Sequence, residues 1–186
     1  AADVDGDGDL DVLLGNDGDP SRVLFNAGDG IFPTSIELPG AGASTFSIAA
    51  ADMDGDGDLD VLLGNYDSPS RVLFNAGDGT FPTSIELLGG FANTHSIAAA
   101  DVDGDGDLDV LLGNYGFSSR VLLNAGDGTF PTSIDLLGGS ASTYAIAAAD
   151  VDGDGDLDVL LGNWYGFSSR VLLNAGDGTF PTSIEL

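Results

Sequence analysis

Asp3-Val4-Asp5-Gly6-Asp7-Gly8-Asp9-Leu10-Asp11 places an acidic residue at every second position of a nine-residue stretch. The same D-x-D-G-D-G-D-L-D pattern returns at Asp52, Asp101 and Asp150, each copy 49 residues after the last. Five carboxylates in nine residues repel one another unless a cation sits among them. The glycines supply turns, and the flanking segments are short and apolar, so the motif is expected to be a loop between strands. A repeat period in the forties points to propellers or arrays of small sheets.

Working outward, one full repeat runs from Pro39 to Leu87. Within it the spacing of apolar residues predicts four short strands: Phe46 to Ala51, Leu59 to Gly64, Arg71 to Asn75 and Thr80 to Leu87. Gly, Asp, Asn or Pro bounds each of them. Ala76-Gly77-Asp78-Gly79 reads as a hairpin turn. Pro82 has no N–H to give to a ladder, so the fourth strand should form the outer edge of its sheet. No segment shows a sustained helical period.

The expected fold is therefore all-β, a β-propeller of four-stranded antiparallel blades. The repeats divide as residues 1–38, 39–87, 88–136 and 137–186, all within one propeller-type domain. The last gains one residue at Trp164. The first lacks its inner strand, of which only Ala1 and Ala2 remain, and the C-terminal end offers no spare strand to replace it. The chain is expected to be a window on a longer array, or a piece that needs a neighbour.

The net charge of −27 is concentrated: 20 of the 31 acidic residues lie in the four loops, between segments rich in Val, Leu, Ile and Ala. With 42% hydrophobic residues over 186 positions, the chain is long enough to build a core. Its charge disfavours nucleic acid and anionic membranes. There is no cysteine and no lysine, so neither disulfides nor thiolate metal sites are available. No apolar run is long enough to span a membrane. No signal peptide is expected from the opening Ala1-Ala2-Asp3, and no N-x-S/T glycosylation site occurs.

Taking Asp3 as position one, carboxylates fall at positions one, three, five and nine, and the carbonyl at position seven can turn inward. Five protein groups, with a bidentate carboxylate or a water, satisfy the six to eight oxygens that Ca²⁺ takes. Position twelve is Leu14, within a strand, where an EF-hand needs Glu and a following helix. Mg²⁺ keeps its waters and rarely enters an all-protein cage. The candidate ligands are Asp3, Asp5, Asp7, Asp9 and Asp11; Asp52, Asp54, Asp56, Asp58 and Asp60; Asp101, Asp103, Asp105, Asp107 and Asp109; and Asp150, Asp152, Asp154, Asp156 and Asp158. One structural Ca²⁺ per repeat is expected, bringing the formal charge from −27 to −19.

The loop, followed by L-L-G-N and then by V-L-x-N-A-G-D-G-T-F, resembles the FG-GAP/VCBS repeat, and the resemblance covers essentially the whole chain. That repeat builds the integrin α-subunit propeller and many secreted bacterial proteins. The resemblance implies a calcium-bound hairpin between the first two strands of each blade, with ligands at loop positions one, three, five, seven and nine. Such propellers usually have seven blades, whereas this chain has four repeats.

Strand order sends the acidic loops and the A-G-D-G turns to one end, and the strand-two-to-three loops and blade linkers to the other. The copies agree at the acidic end and differ at the opposite one. Tyr66, Tyr115, Phe117, Trp164, Tyr165 and Phe167 gather in the variable loops, beside the linkers A-G-A-S-T-F, G-F-A-N-T-H and G-S-A-S-T-Y. These aromatics can stack on sugars or meet a protein; the plainer expectation is packing between neighbouring blades. Arg22, Arg71, Arg120 and Arg170 open the third strand of each copy and are expected to pair with an acid of the same or next blade. His95 stands where other copies have Phe46 and Tyr144, and is read as a variable strand-one residue.

No enzyme is expected. There is no G-x-S-x-G, P-loop or H-E-x-x-H pattern, and Glu37, Glu86, Asp135 and Glu185 occur singly, one per repeat. The expected function is an extracellular calcium-binding scaffold or adhesion module that self-associates or joins further blades as a ring, array or filament. The alternatives are a lectin using the aromatic face, and a designed or amplified repeat without a natural ligand. Millimolar calcium is an extracellular condition, which sets the expected location at the cell surface or outside.

Overall fold

The computed structural model describes residues 1–40, 43–89, 93–138 and 141–186. Four antiparallel sheets follow one another along the chain. The first has three strands, β1 (Val12–Leu14), β2 (Arg22–Phe25) and β3 (Thr34–Glu37). The second runs β4 (Ser44–Ala51), β5 (Asp60–Tyr66), β6 (Arg71–Phe74) and β7 (Thr83–Glu86). The third is β8 (Asn93–Ala100), β9 (Asp109–Tyr115), β10 (Arg120–Leu123) and β11 (Thr132–Asp135). The fourth is β12 (Thr143–Ala149), β13 (Asp158–Asn163), β14 (Arg170–Leu173) and β15 (Thr182–Glu185). Each sheet is a simple meander, the form of a propeller blade. Among the described residues there is no helix, and none that is long and apolar enough to cross a membrane.

The first repeat lacks an inner strand, as its sequence leads one to expect: a single bridge between Ala2 and Asp11 stands in its place. The fourth strand of each blade is shorter than the residue pattern suggests. It begins at Thr83, after Pro82, because the backbone between is used in the turn, where the Ala76 N–H donates to the Thr80 carbonyl. Phe81 turns instead into the core.

Strand one is longer than expected and carries a bulge in each complete blade. Register shifts between Thr45 and Ser47, between Thr94 and Ser96, and between Thr143 and Ala145. The residues left over are Phe46, His95 and Tyr144. A bulge re-aims the extra side chain, and here it turns a ring toward the variable end.

Sheets stack face to face, so strand two is buried on both sides; Val61, Leu62 and Leu63 are all within 2% exposure. The three apolar clusters each span a junction between neighbouring blades. One joins Val4, Val23 and Leu38 to Val61, Leu73 and Phe81; the next joins Met53, Val72 and Leu87 to Val110, Leu122 and Phe130. The third joins Val102, Val121 and Leu136 to Val159, Leu172 and Phe180. Inner strands meet along the axis, where the Ile97 N–H donates to Ser47 Oγ (3.0 Å) and the Ile146 N–H to Ser96 Oγ (3.2 Å).

Candidate metal centre and the faces around it

Each acidic loop is built by its own carboxylates. In the second copy, Asp52 accepts the Gly55 N–H at 2.8 Å and the Gly57 N–H at 3.0 Å, folding the loop back over its first residue. Asp54 accepts the Asp56 N–H and Asp56 accepts the Asp58 N–H. Asp60 is fully buried at the start of β5. It accepts the Met53 N–H with one oxygen and the Asn75 N–H with the other, both at 2.9 Å. This aspartate ties the loop to the end of the third strand, and Asp11, Asp109 and Asp158 do the same in the other blades.

Positions one, three and nine converge in every copy. Carboxylate oxygens of Asp3, Asp5 and Asp11 lie within 4.8 Å of one another, as do those of Asp52, Asp54 and Asp60, of Asp101, Asp103 and Asp109, and of Asp150, Asp152 and Asp158. Position five lies beside the trio with one oxygen engaged by the loop backbone, as in Asp7, Asp56, Asp105 and Asp154. The position-seven side chains lean the other way. Asp58 lies against the A-G-D-G turn of its own blade, 2.6 Å from where a Cβ on Gly77 would stand. Gly77 has a φ of 80°, so only glycine suits both the turn and its neighbour. Asp9, Asp107 and Asp156 sit the same way beside Gly28, Gly126 and Gly176.

Burial pushes the Asp60 and Asp109 carboxyls up to about 6, against the pull of their two backbone N–H bonds. Asp5, Asp54 and Asp103 are also raised, by burial first and by neighbouring aspartates. No cationic side chain relieves them. Arg22, Arg71 and Arg120 are spent on the fourth strand of their own blades, pairing with Glu37 (2.6 Å), Glu86 (2.5 Å) and Asp135 (2.8 Å), and Arg170 pairs with Glu185. The same-blade ion pair is the plainer of the two expectations for these arginines.

Ca²⁺ binds oxygen at about 2.3–2.6 Å, so two ligands of one ion stand at most about 5 Å apart. The 4.8 Å spread of each trio fits that limit, and the all-carboxylate donor set suits a hard cation. When bound, such an ion supplies the positive charge these loops lack.

The sequence did not single out Asn75. Its Nδ2 donates to the Leu59 carbonyl of its own loop (3.0 Å) and to the Val4 carbonyl of the preceding blade (2.7 Å). Its Oδ1 accepts the N–H groups of Gly77 and Gly79. Asn124 and Asn174 repeat the cross-blade bond to the carbonyls of Met53 and Val102. Recurrence of the asparagine in V-L-x-N was the available signal.

At the opposite end, a second seam joins the blades. The Asn65 N–H donates to Ser70 Oγ, Ser70 to Thr94 Oγ1, and Thr94 to Asn114 Oδ1. The same relay runs from Asn114 through Ser119 and Thr143 to Asn163. Above it the bulged rings and the strand-two ends form one continuous row. Phe46 stacks on Tyr66 (5.2 Å), His95 on Tyr115 (5.2 Å) and Tyr144 on Trp164 (4.7 Å), with edge or tilted contacts joining the pairs. Tyr66 and Tyr115 thus pack on rings of their own and the following blade, whereas Trp164 stacks on Tyr144 of its own blade and is 54% exposed. Tyr165, Phe117 and Phe167 stand out from the row and are exposed. Burial holds the His95 imidazole below its usual range, and its Nε2 has no hydrogen-bond partner. Residues 41–42, 90–92 and 139–140 of the variable linkers lie outside the described residues.

Comparison with known proteins bears on the fold and the repeat family. No curated protein matches the sequence. Among solved structures, an Agrocybe aegerita lectin that recognises non-reducing terminal N-acetylglucosamine aligns with a TM-score of 0.65 and 25% identity, over 99% of this chain and 50% of the lectin. BBS1N, solved in complex with ARL6DN, aligns with a TM-score of 0.65 and 11% identity, over 100% of this chain and 55% of its own. The chain thus spans about half the length of the structures it resembles. The model of the FG-GAP-like repeat matches at residues 3–63, 52–112 and 112–161, and the chain belongs to that repeat family.

Proposed function

We propose that this chain is a non-enzymatic, calcium-loaded propeller module that serves outside the cell as a scaffold or adhesion element and assembles with further blades or copies. The observation that carries it is the fourfold carboxylate trio, each anchored to its sheet by a buried aspartate and none neutralised by a side chain. The ion's role is structural: it joins the two ends of each loop and offsets repulsion that otherwise opposes folding, so metal binding and folding are linked. Affinity is expected between about 10⁻³ and 10⁻⁵ M, in the range of regulatory and extracellular oxygen-ligand sites. Such values suit a millimolar-calcium compartment.

Calorimetric titration of calcium into the metal-stripped chain tests this. Four sites are expected, three after Asp54→Asn, and the melting temperature should rise with calcium. Absence of heat and of any melting shift would refute the calcium reading.

A second reading, a carbohydrate-binding module, is favoured by the aromatic row with its exposed Tyr165 and Phe167 and by the likeness to the N-acetylglucosamine-recognising lectin. A glycan-array signal lost in the Trp164→Ala/Tyr165→Ala double variant would support it. Silence across the array, with self-association intact, would favour the scaffold.

A further inference from the structure

The three junctions between blades are made the same way, so what the two outer faces lack can be named residue by residue. On the trailing face, Val151 is 47% exposed, whereas Val4, Met53 and Val102 at the same repeat position are each 1% exposed. Leu186 there is 76% exposed, against 2%, 4% and 4% for Leu38, Leu87 and Leu136. On the leading face, Leu14 is 39% exposed, against 2%, 2% and 4% for Leu63, Leu112 and Leu161. Phe32 is likewise exposed where Phe81, Phe130 and Phe180 are buried.

The polar groups are complementary too. Each internal junction is closed by an asparagine Nδ2 donating to the loop carbonyl of the preceding blade. The trailing face holds the next such carbonyl, that of Val151, at the repeat position of Val4, Met53 and Val102. On the leading face Asn26 holds the matching donor, whose Nδ2 reaches, among the described residues, the Leu10 carbonyl of its own blade, at 3.1 Å.

We infer that the leading face of one copy docks on the trailing face of a second copy of this chain, head to tail. Asn26 donates to the Val151 carbonyl of the second copy, and Leu14 and Phe32 cover Val151, Ile184 and Leu186. The two faces are halves of a junction already formed three times within the chain, which is why a second copy is the occupant. The inference deepens the scaffold reading and rests on it. The first blade lacks the inner strand that the internal junctions use, so this junction is weaker than they are and association depends on concentration. Two chains of net charge −27 also repel, so calcium and salt favour assembly. The contact is heterologous: it propagates as an open chain unless its rotation closes a ring.

Light scattering after size exclusion, in millimolar calcium, tests it with the intact chain, Leu14→Glu and Ile184→Glu. Leu14 and Ile184 are both exposed in the single chain, so each substitution spares the monomer. The wild type is expected at twice 18.7 kDa or above. Each variant alone should be a monomer with unchanged circular dichroism and four bound calcium ions. An equimolar mixture of the two should restore a two-chain species, because one variant keeps its trailing face and the other its leading face. A wild type that stays monomeric with four calcium ions bound would overturn the junction and leave the calcium reading standing. Assembly without calcium binding would support the junction and count against the calcium reading. Assembly abolished by one variant and untouched by the other would mean a like-to-like face, and would also overturn it.

Discussion

Truncating Asn75 to alanine should cost far more stability than truncating Asn26, although the two occupy the same repeat position. Both side chains accept two turn N–H groups and donate to a carbonyl of their own loop. They differ in one bond, from Asn75 Nδ2 to the Val4 carbonyl at 2.7 Å, and in burial, since Asn75 is 6% exposed and Asn26 is half-buried. Removing Asn75 leaves the Val4 carbonyl and the Gly79 N–H without partners inside the junction, and each buried orphan costs about 1–3 kcal/mol. With the loss of the two more accessible bonds, Asn75→Ala should destabilise by about 4 kcal/mol. Around Asn26, water can replace what is lost, so Asn26→Ala should cost about 1 kcal/mol. Urea denaturation at saturating calcium, followed by circular dichroism, reads the difference as a lower midpoint for Asn75→Ala. Equal midpoints for the two variants would refute the claim that this asparagine joins the blades.

Gly113 faces the next blade, and an added Cβ would meet Thr143 Cγ2 at 3.1 Å and Ser96 Cβ at 3.3 Å. Gly113→Ala should therefore cost about 1–3 kcal/mol by overpacking, and Gly162→Ala less, because there the added Cβ meets nothing closer than Ala145 Cβ at 3.3 Å; thermal melts of the two compare them directly. The metal-free chain should become more stable as pH falls from 7 to 4. Asp60 and Asp109 have folded values raised to about 6 from the 3.8 they hold when unfolded, so the fold takes up protons first and the cost of burying charge is relieved across that window. In calcium the dependence should reverse, since protons compete with the ion for the same carboxylates; melts of stripped and loaded protein with the same slope would contradict this. Arg71→Ala should shift stability by no more than about 1 kcal/mol, because the pair with Glu86 is exposed to solvent and salt; a larger loss in urea would mean that the ion pair does more than cap a sheet edge.

The repeat, the strand count and the loops were legible in the sequence because each is fixed by chemistry within a few residues. Alternate aspartates separated by glycines force a turn wherever they occur, and Val-Leu-Leu beside them forms a strand buried on both faces. Pro82 marked the outer edge of its sheet for the same local reason, though the strand starts after it. The missing inner strand of the first repeat was visible as missing residues, and one arginine and one acid per repeat announced an ion pair.

The tertiary structure decided what depends on residues far apart in the chain. Asn75 and Val4 are 71 positions apart, and no local pattern says that one blade's turn reaches the previous blade's loop. The sequence sets position seven apart as a carbonyl ligand but gives no order among positions one, three, five and nine. Packing separates them, because the sheet buries position nine, folds positions one and three toward it, and leaves position seven against the hairpin turn. The bulge at Phe46, His95 and Tyr144 is likewise invisible in composition. It arises where strand one pairs with strand two, and it turns three variable residues into one row of rings. Which apolar residues remain uncovered at the two outer faces is also a property of stacking: identical side chains are buried in one blade and exposed in another solely because a neighbour is present or absent.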